Sequence, residues 1–360
     1  MKKVVLILLL ISACGGSAAV EEPAEESTPV TEATQEITET TEASTTTVAP
    51  PTTMAPPTTM APPTTASPNT TASPNTTTAP AGSDSSSTNT TLNLPDGSIS
   101  GITATEKKGV SPHLEKIDSN TFRMFYSSIT EGGLAVEICD LKLNCTLQGV
   151  LDRIQDLTLV ETVDGVRRGY FIEMNTSTMN KEVYTAVFSA DGLTYSDKTS
   201  VGISSDGQMA WGVPDAVKLP DGRIRIYWVA DAVGMAGEKI VSATSETTKG
   251  LVFTKDPGYR FENGYVDFEV LQANDNDWKA IMSFSPEKQP AIPQTLFYAT
   301  SKDGLDWSFT ASPMTPLNLS YLDPSGIVLD DGSYLIVSAY APNAMGDRDY
   351  ALSYMTLTTP

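Results

Sequence analysis

Residues 96–360 are predicted to fold as an all-β, five-bladed propeller with four antiparallel strands per blade, and three observations carry the prediction. Apolar and polar residues alternate in short runs broken by Asp-Gly, Asn-Gly and Ser/Pro turns, the pattern of strands and hairpins. No stretch carries a helical stripe. The runs recur as a unit of about 45 to 60 residues, five times, and a repeated four-stranded unit that packs against its neighbours is a propeller blade.

Each unit opens on a hairpin. Ser111-Pro112-His113, Val213-Pro214-Asp215 and Asp323-Pro324-Ser325 start three of them in one register, each followed by strand, tight turn and strand. Weaker copies start at Asp156 and at Val266-Asp267; the latter sets Asp267 against Asp215, with Glu269 two residues further on. Proline suits the first residue of a strand, where no ladder N–H is needed. A second hairpin follows in the stretches from Tyr184, Lys239 and Leu296. The last unit shows only three strands (about 321–329, 333–340 and 349–357), so Ser98–Thr103 is expected to supply the fourth and close the ring. A six-bladed ring lacks a sixth unit, and a β-sandwich leaves the repeat unexplained.

Two segments precede this domain. Lys2 and Lys3 followed by the apolar run Val4–Ile11 read as a signal peptide over 1–13, because eight apolar residues are too few to span a bilayer, which takes ~20. Ile11-Ser12-Ala13-Cys14 resembles the bacterial lipobox, in which Cys14 would be lipidated and would anchor the protein to the cell membrane from outside. Residues 14–95 then form a Thr/Pro/Glu-rich stalk with the near-repeats APPTTM, APPTTM and APPTTA and two copies of SPNTT. Such composition buries too little apolar surface to offset its chain entropy, so the stalk is expected to be disordered and extended. The expected location is extracytoplasmic, at the cell surface.

Formal net charge is −21 and the isoelectric point about 4.3. Nine of the 44 acidic residues and two of the 23 basic ones precede residue 96, which leaves the domain 35 against 21, or about −14. That excludes nucleic acid and anionic lipid headgroups as partners and leaves neutral sugars, cationic ligands and metal ions. A monomer is expected. With Cys14 assigned to lipid, Cys139 and Cys145 make the right number for one local bridge in an oxidising compartment. There is no P-loop, GxGxxG or CxxC, and a single histidine rules out a His-rich zinc site.

Two motifs carry a resemblance. Ser189-Ala190-Asp191-Gly192-Leu193-Thr194-Tyr195 and Ser301-Lys302-Asp303-Gly304-Leu305-Asp306-Trp307 resemble the Asp-box of sialidase-type propellers, where the aspartate caps a hairpin; Asp191 and Asp303 are therefore read as structural. Ser245–Phe253 is a copy without the aspartate, and Cys139-Asp140 stands where the first blade's box would begin. The strand starts resemble those of five-bladed glycosidases of the arabinanase and invertase type. In that superfamily the inner strand of each blade starts at the rim of a central channel, and carboxylates from different blades converge there on a sugar. The resemblance implies carbohydrate as the ligand and Asp156, Asp215, Asp267, Asp323 and Glu269 as the acids to consider for catalysis. His113, Trp211, Glu173 and Asp231 are the candidates for contacting substrate. This chain departs from the pattern with Ser111 and His113 where the first blade would carry an aspartate, and no motif for the general-acid glutamate is evident.

Two readings stay open: a propeller that binds, and as a glycoside hydrolase would cleave, carbohydrate at the channel mouth, and a non-catalytic scaffold for protein or envelope contacts. No cofactor is expected; calcium is the one cation the oxygen-rich axis suits, although no loop has EF-hand spacing. Arg123, Arg168, Arg225 and Lys279 share one repeat position past the first turn, opposite the mouth, and are expected to make inter-blade ion pairs or turn contacts. Trp228, Trp278 and Trp307 are expected in the core. The loops on the mouth side bring Glu131, Glu238, Glu287, Asp347 and Arg348.

Overall fold

A computed structural model of the chain describes residues 96–204, 212–230, 238–262, 264–284, 293–341 and 349–360. The signal, lipidation and stalk assignments, with Cys14, lie outside them. Nineteen strands and no helix are present among the described residues.

Three four-stranded antiparallel sheets follow one another along the chain. They are β5 (Gln155–Glu161) to β8 (Tyr195–Ser204), β9 (Gly212–Lys218) to β12 (Phe253–Lys255), and β13 (Tyr265–Asn274) to β16 (Trp307–Phe309). The remaining strands form a seven-stranded sheet in the order β17-β18-β19-β1-β2-β3-β4. Its central strand, β1 (Ser98–Lys116), serves two groups. Ser98–Lys108 pairs with β19 (Ala351–Thr358), and Gly109–Lys116 pairs with β2 (Thr121–Ser128). The N-terminal segment therefore lies as a fourth strand beside β17 (Ser320–Val328), β18 (Tyr334–Ala341) and β19, as expected; Ser98 is opposite Thr358 and Thr103 opposite Tyr354. What differs from expectation is that this strand runs on without a break into the first hairpin. Lys107 fixes the passage with an ion pair to the buried Glu137 of β3 (Gly133–Asp140), 2.8 Å away.

The apolar face of each group packs on the next. One core joins the β1–β4 group to the β5–β8 sheet through Phe125, Leu134, Leu157 and Phe171. Successive cores are built around Tyr170 with Ile224, Tyr227 with Phe268, and Ile281 with Tyr334. A fifth core joins the last group back to the first, with Leu335, Val337 and Leu352 against Phe122 and Met124. Trp228 and Trp278 are buried in or beside these cores, and Trp307 packs on Phe268 at 5.0 Å between ring centroids.

The turns behave as their sequences require. Asp191 Oδ1 accepts the Leu193 N–H at 3.0 Å, and Asp303 Oδ1 accepts those of Leu305 and Asp306 at 2.8 and 3.0 Å. Both aspartates are thus occupied in holding their own hairpins. Cys139 and Cys145 are bridged across the corresponding turn of the first group, six residues apart in sequence; closing so short a loop is worth roughly 2 kcal/mol in the chain-entropy account.

Candidate functional site

The innermost strands β5, β9, β13 and β17 meet near their starts with the second part of β1, where it begins to pair with β2, and a shared irregularity shapes all five. Ser111, Asp156, Val213, Asp267 and Asp323 have positive φ, at 51, 50, 39, 49 and 47°. Each of these strands also slips register against its neighbour at that point. These are β-bulges, which bend a strand and re-aim a side chain. Positive φ is costly for any of these residues and most of all for β-branched Val213, so the packing around them must hold it in place.

The shared irregularity corrects one alignment. Asp267 is the counterpart of Asp156 and Asp323, in the first position of the start, and it is Glu269 that matches Asp215. The weaker copy lacks proline, and its turn is longer, so the sequence offered no anchor for the register.

With this register the starts form two tiers. In the first, each polar side chain reaches the next strand along. Asp156 Oδ2 accepts the Val213 N–H at 3.4 Å, Asp267 Oδ2 that of Asp323 at 3.3 Å, and Asp323 Oδ2 that of Ser111 at 3.1 Å. Ser111 Oγ donates to Asp156 Oδ1 at 2.8 Å and lies 3.3 Å from Asp323 Oδ2. The second tier, two residues on, repeats the scheme. His113 Nε2 accepts the Leu159 N–H, Thr158 Oγ1 that of Ala216, Asp215 Oδ2 that of Val270, and Ser325 Oγ that of Leu114, at 2.8 to 3.2 Å. Glu269 completes the run by accepting from Ser325 Oγ at 2.8 Å. Each strand start is thereby tied to its successor, and the last is tied to the first.

Thr158 and Ser325 were not singled out from the sequence. The signal was present, because all five second-tier positions are polar inside otherwise apolar strands.

The electrostatics follow from this crowding. Burial pushes the Asp323 carboxyl well above the usual range, and the charges of Asp267 and Asp156 push it further. Burial raises Asp267 as well. In the second tier burial and the neighbouring Asp215 raise Glu269 strongly, and burial moves Asp215 up to about 6. Burial takes His113 the other way, down to about 4, so its imidazole is neutral at pH 7, as an Nε2 that accepts a backbone hydrogen bond must be. A protonated Asp323 can donate to Ser111 Oγ, whose own proton points to Asp156. That makes a three-member chain from one carboxyl to another.

The first tier opens on a cavity of ≈ 20 Å³ lined from all five strands, with Asp156, Asp267, Asp323, Ser111, His113 and Glu269 among its walls. That is room for about one water, so a sugar ring would sit above this tier rather than within it. Asp215 does not line the cavity; it is buried one tier below, against Val270. Glu173 also lies apart, at the end of β6 (Arg167–Asn175), ion-paired with Lys198 at 2.6 Å. Trp211, Asp231, Glu287, Asp347 and Arg348 fall outside the described residues. Among those described, the only three acidic, histidine or cysteine side chains whose ligand atoms come within 4.8 Å of one another are Glu137, Cys139 and Cys145. The two cysteines there are the disulfide, and the axial acids form no such cluster.

The folding pattern matches solved structures. An endo-arabinase from Bacteroides thetaiotaomicron superposes with a TM-score of 0.53 at 11% identity, over 72% of this chain and 97% of that one. The chain shares an all-β, propeller-like fold with it. A Bacteroides ovatus xyloglucan-locus GH43B protein (TM-score 0.51, 13% identity, 71% of this chain) and a xylan beta-1,4-xylosidase from Bacillus halodurans (TM-score 0.50, 12% identity, 75% of this chain) are similar to it too. In both of these the match spans about half of the longer protein, 54%. No protein-family model and no curated protein matches the sequence.

Proposed function

We propose that the chain is a cell-surface lipoprotein whose five-bladed propeller binds carbohydrate at the mouth of its central axis. One observation carries the reading: three carboxyl groups from three different inner strands, Asp156, Asp267 and Asp323, converge with Ser111 on one cavity at the strand starts. Carboxylates are strong acceptors for the paired hydroxyls of a sugar, and a buried, bulge-strained scaffold holds them fixed. The five cores and the closed second tier of hydrogen bonds, with one link from each inner strand to the next, support the count of five blades. The fold shared with an endo-arabinase and a xylosidase supports carbohydrate as the ligand class.

A second reading, hydrolysis, is favoured by a separate feature. Burial and the charges of Asp267 and Asp156 raise the Asp323 carboxyl well above its ordinary value beside a space the size of a water, and a raised carboxyl is what a general acid requires. Ser111 in place of an aspartate weighs against it.

A glycan array and a reducing-end assay on the purified domain separate the readings. Asp156→Asn with Asp323→Asn is expected to weaken glycan binding at least about tenfold, the loss of one or two charge-assisted hydrogen bonds. Unchanged binding in the double variant removes the site, and a wild-type domain that binds no glycan favours the scaffold. For the anchor, growth on labelled palmitate is expected to label the wild-type protein and leave Cys14→Ser unlabelled; equal labelling of both refutes it.

A further inference from the structure

The four basic residues at the shared position past the first turn do not end alike. Arg225 is fully engaged. Its Nε donates to Thr244 Oγ1 at 3.1 Å and lies 3.4 Å from Asp256 Oδ2, and its Nη1 donates to the Asp303 carbonyl at 2.8 Å. Asp256 is in turn held by the hydroxyls of Ser242 and Thr244. Arg123 is paired with Glu115, 3.2 Å away.

Arg168 stands in the same setting as Arg225. Tyr170, two residues on, donates to the Gly250 carbonyl at 2.8 Å, as Tyr227 does to that of Gly304. Yet each partner of Arg225 is missing. The cross-strand neighbour is Val187 where Arg225 has Thr244. The facing turn is Ser245–Phe253, and no carbonyl of it accepts from Arg168 as the Asp303 carbonyl does from Arg225. Among the described residues no carboxylate lies within 4 Å of Arg168. Its one hydrogen bond is a long one, Nη1 to Thr185 Oγ1 at 3.4 Å, and its Nε is buried with no partner. The residue is 8% exposed. Asp164, on which the Arg168 charge acts weakly, is fully exposed on its turn and held by Thr162 Oγ1.

A guanidinium is always charged, and burying one without a counter-charge is strongly unfavourable. A group in that state calls for a partner the chain does not provide. We propose that Arg168 is an anion-binding residue, taking a small carboxylate-type anion between the β5–β8 and β9–β12 sheets, at the end of the strands opposite the axial mouth. The chemistry recognised is a monovalent, hydrogen-bond-accepting anion, free or carried on a sugar as a uronic acid.

The test titrates the purified domain with acetate, and separately with galacturonate, at constant ionic strength set by the bulky buffer anion MOPS, and follows Tm. Wild type is expected to gain roughly 5 °C, saturably. Arg168→Met should lose the response while being at least as stable without anion. Val187→Asp, which places a carboxylate across the strand from Arg168, should lose it too and carries the test if Arg168→Met fails to fold. Saturation by galacturonate at a tenth of the acetate concentration supports a sugar-borne carboxylate; equal concentrations support a free anion. A wild type with no saturable gain, or either folded variant keeping it, overturns the proposal.

Discussion

Asp323→Asn is expected to raise the unfolding free energy of the domain at pH 8 by about 1–3 kcal/mol and to flatten its dependence on pH. The reasoning starts from the direction of the shifts. Asp215, Asp267, Glu269 and Asp323 all have carboxyls raised in the folded protein. A raised carboxyl contributes stability that is complete below its unfolded value and is lost as pH climbs through its folded value. For Asp215 the climb from 3.8 to about 6 corresponds to about 3 kcal/mol. His113 acts in the opposite direction: lowered to about 4, it favours folding above its ordinary 6.5 and withdraws that contribution as pH falls towards 4. The four raised acids together outweigh His113 above their unfolded values, so stability should be highest at about pH 4–5 and decline from there towards pH 8 as the axial acids ionise. Asparagine at 323 keeps an acceptor for the Ser111 N–H and removes one member of the crowded set. Urea midpoints for wild type and variant at pH 5, 6.5 and 8 check this. A variant that is less stable at pH 8, with the slope unchanged, would show that the carboxylate is stabilised by something other than its proton.

Gly250→Ala is the substitution expected to cost most outside the axis, at roughly 2–4 kcal/mol. Gly250 has φ +63°, and a Cβ there would overlap the Tyr170 hydroxyl that donates to its own carbonyl. Gly332→Ala is the matched control. Its φ is +85°, but nothing lies within 4 Å of the added carbon, so it should pay only the backbone cost, about 1 kcal/mol. Tyr170→Phe combined with Gly250→Ala should recover part of the loss, and a double-mutant cycle measures how much. Equal costs for the two glycines would mean that the sheets simply move apart, and that the interface is softer than its packing implies.

Much of this organisation is legible in the sequence because its causes are local. Asp191 and Asp303 cap the turns in which they stand, so their neighbours alone identify them as structural. Alternation marks the strands, and the shortage of one strand in the last unit points to Ser98–Thr103, since an unpaired edge needs a partner. The register at Asp267 was not legible. It depends on a bulge, and a bulge is set by what surrounds the strand start rather than by the residues Val266-Asp267-Phe268 themselves. A slip of two residues keeps every side chain on the same face, so alternation cannot detect it.

The same division holds for the site. That acids from separate repeats would gather at one place followed from the repeat alone, because equivalent positions in stacked units are brought to equivalent places. Which acids face the cavity and which lie sealed beneath it was decided by tertiary contacts: Asp323 lines the opening, whereas Asp215 is closed off against Val270. Sequence also placed Arg168 and Arg225 at one position. Only the fold separated them, since a charge is satisfied by whatever carboxylate another part of the chain brings within reach, and among the described residues Asp256 has no counterpart beside Arg168.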